Sequence, residues 1–360
     1  MEKHSFCIDL QLSELSPSFD KRLYQHRYFS LEDKHYYDDV ILTADKITIR
    51  GERSHVIDAM GHLSTLKSNT YQALVKALLV LYFSGCHFRL GELTLTVDGK
   101  SQKESVTFQQ RFTKALLKQM NLPEERLALL FSDDEEKSQA LLTCLMNLVM
   151  SLSSKHAFDH AWRAFNALYA YLYQDKKKER EQLRAVGDAL GFSKQLGQHM
   201  SKSFKSLVEA WFEDNRLYRC LLENIGYELD IKTAEERYHD FYGTKAFSDK
   251  AILKRLLDYY DARFVAELSD ETLDKQARSQ RKSYRNKVQK QIAEGKFVNA
   301  DYIYLAISYI YHYRNAQFHG RAMVNDFLMD NANSQELVSL ALILQELCIA
   351  MIMELFEEEK

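Results

Sequence analysis

Residues 303–320 read I-Y-L-A-I-S-Y-I-Y-H-Y-R-N-A-Q-F-H-G, and the groups there that could do chemistry are Arg314, Asn315 and His319. Ile303, Ile307 and Ile310 recur at the spacing of one helical face, and that face continues through Arg314 to Phe318. An arginine therefore stands where the pattern calls for an apolar residue. Burying a guanidinium without a partner costs several kcal/mol, on the order of a broken core, so the fold must supply an anion, hydrogen bonds or water at that point. His319 follows directly after Phe318, and Gly320 is of the type most common just past a helix end. A histidine can take or give a proton near neutral pH, and the guanidinium fork matches phosphate oxygens. Together they suit phosphodiester chemistry.

The run Arg314-Asn315-x-x-x-His319 resembles the R-N-x-x-x-H form of the signature of HEPN domains. These are helical bundles, many of them metal-independent ribonucleases of host defence and toxin–antitoxin systems. The Asn after the Arg, the Gly after the His and a long apolar helix on each side carry the resemblance. A second Arg-x4-His match, Arg50 to His55, follows an alternating stretch that reads as a strand and is set aside.

RNA brings its own nucleophile, the 2′-OH. Cleavage needs a base for its proton, positive charge for the phosphorane-like transition state and an acid for the 5′-oxygen. The resemblance implies that Arg314 and His319 are catalytic, with Asn315 orienting the pair or the phosphate. It implies no metal and no cofactor, and products with 2′,3′-cyclic phosphate and 5′-OH ends. One Arg and one His make half a site. Because the chain holds one credible copy, the resemblance further implies a homodimer with a composite cleft, and an antitoxin or defence-system protein as partner.

A basic stretch lies upstream. Residues 275–290 hold seven basic residues and no acid, and Arg278, Arg281, Lys282 and Arg285 fall on one helical face. Such a face would neutralise phosphates and give salt-sensitive, sequence-independent RNA affinity. The plainer reading is a solvated helix face with no ligand.

Composition sets limits on the rest. In 360 residues there are only two prolines and 12 glycines, which points to long helices and few tight turns. A net charge of −3 excludes a uniformly basic nucleic-acid binder but not a local patch. Five scattered cysteines without a C-x-x-C pair read as free thiols of a reducing compartment, and the N-terminus has no apolar signal core, so a cytoplasmic protein is expected. Residues 338–356 are the most apolar, yet Gln345, Glu346 and Glu354 interrupt them; this reads as a core helix with no membrane association.

The elements that must position the site divide at about residue 100. Before it, Phe6, Ile8, Leu10 and Leu12 alternate as in a half-buried strand, and residues 40–43 and 46–50 flank Ala44-Asp45 as a hairpin. A helix is expected over 70–83, and a second hairpin over 87–97, broken at Gly91. After it, helices are expected over 107–121, 141–152, 157–173, 203–225, 249–268, the motif helix capped by Asn299, and 335–357. Ser132 to Glu135 has capping-box spacing, and Asn333 with Glu336 fits the cap and N3 positions. His156 and His160 are four apart, but Ala157 stands where a zincin has its Glu, so they read as helix-surface or capping histidines. The run 175–181 mixes both signs and reads as a solvated helix end.

The expected fold is mainly α: a C-terminal HEPN-like helical bundle over residues 101–360 and a small N-terminal α+β domain over 1–100 that senses a trigger or restrains the nuclease. A second functional reading uses the same residues in a non-catalytic scaffold or regulatory subunit, where Arg314 pairs with a buried carboxylate and His319 caps the helix.

Overall fold

The computed structural model describes residues 3–16, 19–31, 34–55, 68–104, 112, 121–153, 156–191, 204–208, 294, 299–318 and 333–356. The chain divides into two compact units: Met1–Tyr171 together with Phe356–Lys360, and Leu172–Leu355. The first carries an N-terminal sheet, and the C-terminal region is rich in helices.

The sheet has six antiparallel strands: β1 (His4–Ser16), β2 (Arg22–Leu31), β3 (Lys34–Leu42), β4 (Lys46–Arg53), β5 (His87–Val97) and β6 (Lys100–Glu104), in the order β2-β3-β4-β1-β5-β6. The alternation of β1 does what a period of two requires. Phe6, Ile8, Leu10 and Leu12 are buried, and Ile8 sits level with Ile49 on β4 and Leu95 on β5. Val40, Leu42, Ile47 and Leu93 complete that face.

Helix α1 (Asn69–Phe83) contacts strands β2 to β5, with Ala73, Leu74, Ala77 and Leu81 buried. Ser68 caps its start by accepting from the Tyr71 N–H at 3.4 Å. Its end is a Schellman turn: the Cys86 N–H donates to Leu81 O and the Gly85 N–H to Tyr82 O, with Gly85 at φ +87°.

The expected hairpin over 87–97 is one continuous strand, β5. Gly91 lies at a bulge opposite β1, where a Cβ would stand 3.0 Å from the Gln11 carbonyl oxygen. The reversal comes seven residues later, at Asp98-Gly99, where both residues have positive φ, as a two-residue hairpin turn demands.

The rest of the first unit covers α1 from outside. Helix α2 (Glu124–Ala128) and a 3-10 turn (Leu129–Phe131) lead into α3 (Glu135–Ser153) and α4 (Ala157–Leu172). The cap of α3 is Asp134, not Ser132: its carboxylate accepts from the Lys137 N–H at 2.9 Å, which holds the Asp134 carboxyl below the usual range. Ser132 instead accepts from the Asp134 N–H. The acidic run before α3 also reaches the sheet. Arg27 pairs with Glu135 at 2.8 Å, and the Tyr37 hydroxyl donates to Asp133. Lys76 of α1, only 6% exposed, donates to Ser138 Oγ at 2.8 Å, and Ser138 donates on to Leu130 O. On α4, Phe158, Trp162, Phe165 and Leu168 are buried as expected, and Leu172 is half-buried. Phe356 belongs to this unit as well, its ring 5.2 Å from that of Tyr171 and its carbonyl accepting from Arg126.

In the second unit the described helices are α5 (Glu179–Gly191), residues 204–208, α6 (Asn299–Phe318) and α7 (Asn333–Glu354). Leu183, Val186 and Leu190 of α5 are buried, and α5 packs against α6. The Tyr309 hydroxyl of α6 donates to Glu336 of α7, so Glu336 joins two helices as well as standing in a first turn. Leu340, Ala341, Leu344, Leu347, Cys348 and Met351 of α7 are buried. By length and composition α7 could cross a membrane, and just over half of its apolar window is buried inside the protein. The helix expected over 107–121, apart from residues 112 and 121, that over 249–268 and the part of 203–225 beyond residue 208 lie outside the described residues.

Candidate functional site

Helix α6, from Asn299 to Phe318, carries Arg314 and Asn315 of the expected motif. Tyr302, Ile303, Ala306, Ile307, Tyr309 and Ile310 are all buried, which fixes the helix by its apolar side. Arg314 follows one turn beyond Ile310, with its side chain 23% exposed. The stripe carries it to the margin of the packed region instead of its middle.

An amide oxygen and a carboxylate are among the groups that meet the guanidinium there. Arg314 Nη1 donates to the side-chain oxygen of Asn315 at 2.8 Å, and its contact with Glu179 Oε2 is longer, 3.5 Å. Glu179 opens α5 and is 30% exposed. The anion that an arginine in an apolar stripe requires thus comes from the helix packed against its own. A carboxylate in the first turn of a helix is also favoured by the helix dipole. A part-exposed pair at this distance contributes about 0–1 kcal/mol, since solvent screens it. Asn315 makes the shorter of the two contacts.

Chemically, a carboxylate and a phosphate oxygen are alternative acceptors for the same fork. A phosphate oxygen could therefore take the place of the Glu179 carboxylate on this guanidinium.

The structure brings Arg314 and Asn315 together. His319 lies outside the described residues, as do Arg278, Arg281, Lys282 and Arg285. Glu179 was read in the sequence as part of a solvated charge run. The available signal was the missing partner of Arg314 together with an acid following three lysines at a helix start.

The other candidates are accounted for locally. His160 Nδ1 is 3.0 Å from the Asn147 side-chain oxygen, and His156 lies 3.8 Å from Asp159, one turn along its own helix. Arg50, of the second Arg-x4-His match, stands on β4 paired with Asp39 at 3.1 Å. No family model, no curated protein and no solved structure matches the chain.

Proposed function

We propose that the chain is a metal-independent endoribonuclease of the HEPN type. Arg314 binds the scissile phosphate, His319 transfers the proton, and Asn315 holds the arginine. The 2′-OH attacks the adjacent phosphate, leaving 2′,3′-cyclic phosphate and 5′-OH ends. Two copies meet as a homodimer to complete the site, and the activity serves antiviral defence or a toxin system in the cytoplasm. The observation that supports this is the setting of Arg314: a cation one turn beyond a buried apolar stripe, part-exposed, with the Asn315 side-chain oxygen at 2.8 Å from its guanidinium.

The same arginine favours one other reading. An Arg314–Glu179 bridge also ties α5 to α6, as it would in a non-catalytic scaffold. Incubating purified protein with end-labelled RNA, with and without EDTA and beside His319→Ala, separates the two. The nuclease gives EDTA-resistant cleavage with cyclic phosphate ends, lost in the variant. Wild-type cutting by a stably folded His319→Ala protein overturns the assignment.

A further inference from the structure

In the first unit an open cleft of about 1270 Å³ lies where the tip of the β2–β3 hairpin, the end of β4 and the first turn of α1 come together. Its lining is mixed, and Tyr28, Phe29, Tyr36 and Tyr37 bring aromatic rings to it. The rings of Tyr28 and Tyr36 are 6.2 Å apart, and those of Phe29 and Tyr36 5.9 Å, tilted to each other by 49° and 39°. Phe29 is 52% exposed and Tyr36 40%. Large rings with this much face in water, gathered in one concavity, are unusual on a surface with no ligand.

Several contacts hold the floor of the cleft. Arg53 lies over the Tyr28 ring, 3.4 Å from its centroid, and is gripped by both carboxylate oxygens of Asp38, at 2.5 and 2.6 Å. Asp38 is fully buried beneath it. Tyr28 is fixed from its backbone as well, since the Asn69 side chain donates to its carbonyl at 2.7 Å.

The rim is charged, two cations beside two carboxylates. Lys3 and Arg50 pair with Glu52 and Asp39, but the basic partner is the more exposed of each pair: 74% against 58%, and 57% against 33%. Ring faces for stacking, beside exposed cations and a guanidinium already lying flat on a tyrosine, match a nucleobase joined to a phosphate. The breadth and openness of the cleft suit an extended ligand more than an enclosed one.

We propose that this cleft is a binding site for a nucleobase–phosphate unit, with a base against Tyr36 and Phe29 and the phosphate at Arg50 and Lys3. The unit is either one residue of single-stranded RNA or a free nucleotide. The proposal does not rest on the nuclease reading, because binding here needs neither Arg314 nor His319.

The test uses the full chain and a fluorescent, fully 2′-O-methylated eight-nucleotide single strand, which has no 2′-OH to attack. Anisotropy is measured on an Arg278→Gln, Arg281→Gln, Lys282→Gln, Arg285→Gln background, so that the basic stretch does not dominate. Phe29→Ser and Tyr36→Ser should each weaken binding at least tenfold without moving the melting temperature, and Tyr36→Phe should restore it. Displacement by adenosine or uridine monophosphate identifies a free nucleotide as a sufficient ligand. Binding of the strand alone identifies RNA. A 5-iodouridine strand should crosslink to Tyr36 or Phe29. Failure of both strand and mononucleotide to bind, or serine variants that bind as the parent does, overturns the site while leaving RNA cleavage to be judged separately.

Discussion

The carboxylate of Asp38 occupies the place where a side chain at Gly51 would begin: a Cβ on Gly51 would stand 2.1 Å from Asp38 Oδ1. The strand β4 therefore has a glycine at this point so that β3 can seat a buried acid beneath Arg53. Gly51→Ala is expected to push Asp38 off its partner and destabilise the fold by about 3 kcal/mol, the scale of a broken buried ion pair. Urea denaturation measures it. A midpoint within error of the wild type would mean that Asp38 and Arg53 can re-pair around a methyl group.

His26 provides a pH test. It is 3% exposed, Nε2 has no hydrogen-bond partner among the described residues, and burial, with Lys76 and Arg53 nearby, lowers its pKa to about 3. The folded protein thus holds a neutral imidazole that the unfolded chain protonates below about pH 6.5. The unfolded state binds more protons in that window, so the His26 contribution to stability is full above it and is lost as pH falls from about 6.5 toward 3. The slope expected from one such group is about 1.4 kcal/mol per pH unit. His26→Gln should flatten the stability profile between pH 4 and 6 by about that slope; an unchanged profile would place the titration elsewhere.

Arg314 and Glu179 separate catalysis from scaffolding. Glu179 is part-exposed, so Arg314→Met leaves a carboxylate that water can reach, and the stability change should stay within about 1 kcal/mol. Cleavage should disappear. Arg314→Lys keeps the charge without the fork and should lose most activity with a modest change in melting temperature. Glu179→Gln should keep activity. A loss of several kcal/mol in Arg314→Met, with unaltered RNA chemistry, would make the pair a structural tie.

Replacing Arg278, Arg281, Lys282 and Arg285 together by Gln should weaken RNA binding and flatten its salt dependence. Thermal stability should hardly move, as exposed charges contribute little. Equal affinity at low salt would make this stretch a solvated face.

The proposed composite site would require a second copy. Light scattering under assay conditions should report a dimer, and a monomeric variant that stays folded should lose cleavage. A fully active monomer would remove the need for paired motifs.

How much of this was legible in the sequence depended on whether one residue type carried one meaning. The β1 alternation did, because one face of an antiparallel sheet is buried, and Phe6, Ile8, Leu10 and Leu12 announce it. Gly91 did not. A missing Cβ serves a bulge as well as a turn, and the positive-φ pair Asp98-Gly99 carried the stronger hairpin signal. Strand β2 was missed because it runs along the sheet edge, with a register shift near Tyr28 and only His26 buried in it. For the candidate site, the demand of Arg314 for an anion was plain from helical spacing. The identity of Glu179 was not, since 135 positions separate the two (314 − 179) and only packing of α5 on α6 joins them.

Tyr171 and Phe356 touch at 5.2 Å, while 184 residues of the second unit (172 to 355) run between them. In connectivity, the helical unit is a cassette whose entry and exit share one doorway in its host. The entropy of closing a loop grows only with the logarithm of its length, so so large an insertion burdens the host little more than a short one. One engineering consequence follows. A few glycines and serines should be able to replace the whole cassette and leave the sheet unit intact.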